Sequence, residues 1–286
     1  MESHYTCGII GAGRLGSVLA KAFGKQKKLT WLLSRSKKIP DDINVTIGEI
    51  SFIPQIILIA TNDDSIGEVA DELARHFRRG LEGVYIAHCS GFVPLSSLQP
   101  CKNYGAIVAS IHPYQTFYYP SLKNLRNITW GIDCEPRERD FFGRVIADLQ
   151  GNAYFLDFES ELQKSLYHIS AVSASNFLTS ALSLSRRIFS HLGISPENFL
   201  KPIVRTTVGN ALKFNKDSSS IPLTGPVARG DFKTINNHIQ ALENNKELLK
   251  PYCYFSLAAA EMAYNAKMLT DIQFSEITKI LKEKII

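Results

Sequence analysis

Apolar and polar positions along the chain follow two regimes, and the change between them lies near residue 157. Before it, short apolar runs alternate with stretches of helical spacing. Cys7–Ile10, Leu29–Leu33, Ile56–Ala60, Val84–Ala87, Ala106–Ile111, Ile128–Ile132 and Asn152–Leu156 have strand length. Ile56–Ala60 is apolar throughout, which predicts a strand buried on both faces of a parallel sheet. Ile66, Val69, Leu73 and Phe77 recur at helical spacing behind Asn62-Asp63-Asp64-Ser65, a run suited to capping. Pro136 stands where a first helical turn tolerates it and opens a helix to about Gln150. A less regular segment surrounds Val45 to Ile50. Strands alternating with helices predict an α/β fold with a doubly wound sheet.

Beyond Asp157 the strand pattern stops. Glu159 to Leu192 keeps helical periodicity with no strong breaker until Gly193. Ser195-Pro196-Glu197 starts a further helix, Asp217–Ser220 is a loop, and Phe232–Leu242, Lys246–Met268 and Phe274–Lys284 read as helices. The expected division is residues 1–156 as an α/β domain and 157–286 as an all-α domain.

The junction of the first strand and first helix carries the most specific chemistry, Gly11-Ala12-Gly13-Arg14-Leu15-Gly16. Gly11 permits the turn, Gly13 lets a pyrophosphate approach the backbone, and Gly16 lets the helix pack close to the strand. Free N–H groups at the helix start then hold the phosphate charge. A glycine turn that binds nothing has the same letters; the strand before it and the helix at once after it favour the dinucleotide. An NAD site places an acid about 20 residues further on to hold the ribose hydroxyls. This chain has Ser34-Arg35-Ser36-Lys37-Lys38 there. Arginine forks onto phosphate oxygens, hydroxyls donate to them, and no carboxylate repels a 2′-phosphate, so NADP is expected over NAD. A solvated basic turn is the plainer alternative.

Three successive strand ends then offer polar groups on one edge, where open sheets bind ligands. They are Thr61-Asn62, His88-Cys89-Ser90-Gly91 and His112-Pro113. Thr61, Asn62 and Ser90 are expected beside the cofactor and His112 beside the substrate. Lys164 and His168, four apart, share a helical face and suit protonation of a carbonyl or imine as hydride arrives. Exposed polar residues would have the same spacing. Asn176 lies further along that helix. In Leu223–Asp231, Gly225-Pro226 turns, Asp231 caps the next helix, and Arg229 suits an anion clamp; capping alone accounts for Asp231. Asn176, Arg229 and Asp231 are the substrate-binding candidates.

Bulk properties narrow the classes. In 286 residues, 45% are hydrophobic and 21% charged, with a net charge of +5 and no long basic run, which disfavours nucleic-acid binding. Five scattered cysteines without a CxxC pair fit reduced thiols, with neither a disulfide framework nor a metal site. No charged leader precedes an apolar core and no apolar run spans a bilayer, so a cytoplasmic protein without membrane contact is expected.

The chain resembles a family of uncharacterised Rossmann-type oxidoreductases. The resemblance is carried by Gly11–Gly16, His88–Gly91, Ser110–Phe117, Lys164–His168 and Leu223–Asp231, with His238 after it. That family is similar to pyrroline-5-carboxylate reductase, ketopantoate reductase, 3-hydroxyacid dehydrogenases and prephenate dehydrogenase. The resemblance implies an NAD(P) domain followed by a helical domain like the C-terminal part of 6-phosphogluconate dehydrogenase, and a homodimer through the helices. Several relatives place a catalytic lysine with asparagine four residues on. Lys164 matches the lysine, whereas His168 stands where the asparagine would be. His112-Pro113 resembles an element of prephenate dehydrogenase whose histidine engages the substrate hydroxyl. The expected activity is hydride transfer between NADP and a small anionic carbonyl, imine or hydroxy compound. A non-catalytic NADP(H) sensor or partner subunit, and a deazaflavin-linked NADP reductase, are the alternatives.

Overall fold

The computed structural model describes residues 5–34, 46–213 and 221–285. The chain divides into two compact units, Met1–Ser175 and Asn176–Ile286.

The first unit is built on a seven-stranded sheet in the order β2-β1-β3-β4-β5-β6-β7. Its strands are β1 (Cys7–Ile10), β2 (Leu29–Leu33), β3 (Ile56–Ile59), β4 (Tyr85–His88), β5 (Ile107–Pro113), β6 (Thr129–Asp133) and β7 (Asn152–Phe155). Successive side chains of a strand point to opposite faces. Ile56 and Leu58 therefore enter one core with Leu19 and Phe23 of α1 (Arg14–Lys25). Ile57 and Ile59 enter the other with Val69 and Leu73 of α2 (Ile66–Phe77). Both faces of β3 are covered, which is why its sequence is apolar throughout. The short helix α3 (Gln99–Lys102) adds Cys101 to the second core, and α4 (Arg139–Asp148) adds Phe142 and Ile146 to the first.

The pairs from β2 to β5 are parallel, but β6 runs antiparallel to β5. The connection between them contains only the 3-10 turn Leu122–Leu125 among its regular elements, so no crossover helix carries the chain back. Helix α4 supplies that crossover for the parallel pair β6–β7. The register places His88 beside Ser110, Ser110 beside Asp133, and His112 beside Gly131.

Two local expectations are corrected. The Asn62–Ser65 run makes no side-chain cap; it winds as a 3-10 turn in which Asn62 accepts the Ser65 N–H through its backbone carbonyl. The stretch Glu159–Leu192 is not one α-helix. Helix α5 (Glu161–Val172) passes through a π-turn, Ser173–Phe177, into α6 (Leu178–His191). Ser170 and Ser173 donate back to the carbonyls of Tyr167 and Ile169, a bonding that bends helices. Around Val45–Ile50 the described part forms a 3-10 turn, Ile47–Glu49; Val45 lies outside the described residues.

The second unit contains α6, α7 (Glu197–Lys213), α8 (Phe232–Leu242), α9 (Lys246–Asn265) and α10 (Asp271–Glu283). Asp231, Asn245 and Thr270 each accept a first-turn N–H and fix where the last three helices begin. Cys253, Ala260 and Ala263 of α9 are fully buried against Ile235, Ile277 and Leu281, small side chains that let α8 and α10 approach closely. No helix among the described residues is long and apolar enough to cross a membrane.

Candidate functional site

Gly11 has a φ of +106°, and a Cβ there would meet the Ala60 carbonyl oxygen at 2.6 Å. Only glycine suits that position. A Cβ at Gly16 would strike the Gly11 carbonyl, whereas the Cβ position of Gly13 has nothing within 4 Å. The turn is thus packed at its ends and open in the middle. Helix α1 follows directly, with no side-chain cap and no acid in its first turn, so its N–H groups are available to an anion. A cavity of about 440 Å³ opens here, running from Gly11–Gly13 past Leu33 and Ser34 to Val69 and Glu72. Thr61 and Asn62 line it too, and Thr61 Oγ1 is buried without a hydrogen-bond partner among the described residues. An open glycine turn, a free helix start and an orphaned hydroxyl around one cavity fit a dinucleotide.

Other members of the turn serve the packing. Ala12 is buried, Leu15 packs on the first core, and Arg14 holds its guanidinium 4.8 Å from the centre of the Tyr118 ring. Arg35 and Ser36 lie outside the described residues.

On the same edge of the sheet, β4, β5 and β6 bring together groups far apart in sequence. Residues aligned across neighbouring strands share a face, so His88, Ser110 and Asp133 form one row. Asp133 takes an ion pair from Lys164 Nζ on α5 at 3.2 Å. Lys164 is only 3% exposed, so its charge is committed to Asp133 and not to solvent. One turn on, the Tyr167 hydroxyl lies 3.0 Å from His112 Nδ1. His168 sets its ring 6.1 Å from those of His112 and Phe92, with Nδ1 buried and unpartnered among the described residues. Tyr114 joins through Ser170 at 3.0 Å and through its ring, 5.6 Å from that of Tyr167. Helix α5 thus turns Lys164, Tyr167 and His168 toward the sheet and leaves Leu162, Leu166 and Ile169 exposed.

Two glycines make room for this cluster. A Cβ on Gly91 would sit 2.8 Å from the His112 ring, and one on Gly131 would collide with the Tyr167 hydroxyl.

Burial sets the protonation states. It holds the His112 pKa down at about 4, helped by His168 and Lys164, and that of His88 at about 3, helped by Lys164 and His112. Both rings are neutral at neutral pH. The Ser90 N–H donates to His88 Nδ1, so the His88 proton sits on Nε2, which has no partner among the described residues. Burial also lowers the Lys164 pKa, against the pull of Asp133, and raises that of Tyr167.

The remaining sequence candidates have local roles of their own. Ser90 shapes its own loop, accepting the Phe92 and Val93 N–H groups on its hydroxyl and the Ser110 hydroxyl on its carbonyl. Asn176, Arg229 and Asp231 belong to the second unit, where Asp231 caps α8 through Thr234 and Arg229 is exposed. Sequence reasoning missed Tyr167, Asp133 and Glu72 as site residues. Tyr167 had a signal, because it lies three residues after Lys164 on the same helical face; Asp133 had none without the register. All five cysteines are buried and free, and no group of side chains suited to a metal ion occurs among the described residues.

Residues 1–113 match the family of Rossmann-like domains, and residues 128–259 match a domain of unknown function, DUF2520. The chain thus carries a stretch similar to Rossmann-like domains followed by one similar to DUF2520. The second match begins at β6, so Asp133, Lys164, Tyr167 and His168 fall in it, and His88 and His112 in the first. Among solved structures, a Bacteroides fragilis protein described as a candidate NADP oxidoreductase is 19% identical, over 90% of this chain and 98% of that one, with a TM-score of 0.75. A Thermotoga maritima protein is 24% identical over 98% of both chains, with a TM-score of 0.60. The pyrroline carboxylate reductase of Plasmodium falciparum, solved with NADP bound, is 16% identical over 98% of both, with a TM-score of 0.55. At these identities the likeness establishes the fold. No curated protein matches the sequence.

Proposed function

We propose that this protein is an NADP-dependent oxidoreductase that transfers hydride between the nicotinamide and a small carbonyl, imine or hydroxy compound. The observation that carries the reading is one sheet edge with two parts. The open glycine turn and its cavity lie at β1–β3, and a buried acid–base cluster lies at β4–β6. Similarity to the NADP-named proteins of Bacteroides fragilis and Plasmodium falciparum supports the cofactor class. The preference for NADPH over NADH rests on Ser34, which lines the cavity, and on the sequence Arg35-Ser36 after it.

The bound cofactor supplies or accepts the hydride; the chain's own groups handle the proton. With His112 in the tautomer that donates from Nδ1, the Tyr167 hydroxyl keeps its own proton free for the substrate oxygen or nitrogen. The phenolate left behind is stabilised by the N–H of that histidine. Lys164 is held by Asp133, and His168 extends the cluster beside His112. Residues 157–286 are assigned to substrate binding and dimerisation in a cytoplasmic homodimer, with Arg229 as the clamp for an anionic group of the substrate and Asn176 and Asp231 as further substrate-binding residues.

Paired titrations with NADPH and NADH, followed by a carbonyl and imine panel scored by NADPH oxidation, test the reading. Tight NADPH binding is expected. Tyr167→Phe should cut turnover about 10²- to 10⁴-fold while leaving NADPH affinity within about threefold, and Arg35→Ala should erase the cofactor preference. If neither nucleotide binds, the proposal is wrong.

A further inference from the structure

The far end of the glycine-turn cavity has a carboxylate that phosphate binding does not use. Ser65, at the start of α2, and Val69 and Glu72 on it line the cavity. Their spacing of four and three residues puts them on one helical face. Seven residues of helix carry Glu72 about 10 Å beyond Ser65, away from the turn where a pyrophosphate would lie. Between the two ends the walls are Leu33, Ile47 and Val69, an apolar slot suited to a flat base. Glu72 is half-buried and makes no hydrogen bond or ion pair among the described residues, so nothing in the fold accounts for its carboxylate.

An ionised carboxylate only accepts hydrogen bonds. The ring nitrogens along the open edges of adenine are acceptors as well, and its one polar N–H donor group is the exocyclic 6-amino group. We infer that Glu72 accepts this amino group and makes the site selective for a 6-amino purine dinucleotide over its 6-oxo counterpart. With a 6-oxo purine, an oxygen lone pair would face the carboxylate at that position, and the one ring N–H moves to N1. A base seated in adenine's place therefore loses the bond at position 6 and gains a repulsion there. The ribose hydroxyls are the other donors of an adenosine, but they sit nearer the phosphates, at the Gly11–Gly13 and Ser34 end. This inference rests on reading the cavity as the dinucleotide site.

The test titrates the full-length protein with NADPH and with its hypoxanthine analogue, following nicotinamide fluorescence, in the wild type and in Glu72→Gln and Glu72→Ala. The wild type should favour NADPH by about tenfold, the size of one hydrogen bond to a charged group. Glu72→Gln can accept from an amino group or donate to an oxo group, so the preference should collapse mainly through tighter binding of the analogue. Glu72→Ala should lose the preference through weaker NADPH binding. Equal affinity of the wild type for both nucleotides would overturn the inference and leave the cofactor reading intact. So would a preference that survives both substitutions, or an equal loss for both nucleotides in Glu72→Ala, which would move the carboxylate to a ribose hydroxyl. Binding of neither nucleotide would instead overturn the cofactor reading, and this inference with it.

Discussion

His88 and His112 are buried bases kept neutral by their surroundings, and this has a cost in acid. An unfolded histidine titrates near 6.5, whereas the folded values are about 3 and about 4. Their folded pKa values are depressed, so between pH 6.5 and 4 the unfolded chain binds protons that the folded chain refuses. Stability is then full above about pH 6.5 and falls with pH, by up to about 1.4 kcal/mol per pH unit for each ring. Below about pH 4 the folded His112 protonates too, and its contribution stops growing. Urea unfolding at pH 7 and pH 5 should show His112→Gln losing about 2 kcal/mol less than the wild type over that interval. Identical losses would mean that His112 is not a buried neutral ring. At this scale the sequence was legible where polar residues follow apolar runs or share a helical face, as at His112, Lys164 and His168. His88 was legible on the same ground, but Asp133 needed more, because its place in a row with His88 and Ser110 depends on which strands are neighbours and in which register.

Elements bring these residues together, and small residues decide how closely. Gly131 lies in register with His112 on β5, and the Tyr167 hydroxyl of α5 occupies the space a Cβ would fill. Gly131→Ala should push Tyr167 away, break its bond to His112 and lower stability by about 1–3 kcal/mol, the usual cost of overpacking. NADPH affinity should stay within about threefold, because Gly131 is not among the residues that line the glycine-turn cavity. In a Tyr167→Phe background the same substitution should cost less, since the clashing oxygen is gone; an equal cost in both backgrounds would place the strain elsewhere. The glycine turn and the buried strands were readable because each element's chemistry is local. The reversal of β6 and the π-turn at Ser173–Phe177 were not. One depends on the absence of a crossover helix, the other on serine hydroxyls bending a helix whose sequence has no breaker.

For the whole molecule, the α/β class and the all-helical second part follow from periodicity, while the apolar side chains left exposed show only once burial is known. Helix α7 is 17 residues long, yet Leu200 is its one buried side chain, and Phe199, Ile203 and Leu212 are 57%, 62% and 82% exposed. Leu192 and Ile194, in the turn before it, are exposed as well. Single exposed apolar residues are ordinary, and Leu212, on the opposite side of the helix from Ile203, is one such; Phe199 and Ile203, four apart, share a face, and an exposed apolar face is the mark of an association surface. The proposed homodimer gives that surface an occupant, a second copy of the same helices. Sedimentation velocity should therefore find a species of twice 31.9 kDa. Phe199→Glu combined with Ile203→Glu would bury two carboxylates at such an interface without partners, a penalty of several kcal/mol, and should yield a monomer. NADPH binding should persist in that monomer, because the described residues that line the glycine-turn cavity all belong to the first unit. A wild-type monomer, or a dimer indifferent to both charges, would remove α7 from the interface and leave its apolar side chains to another role.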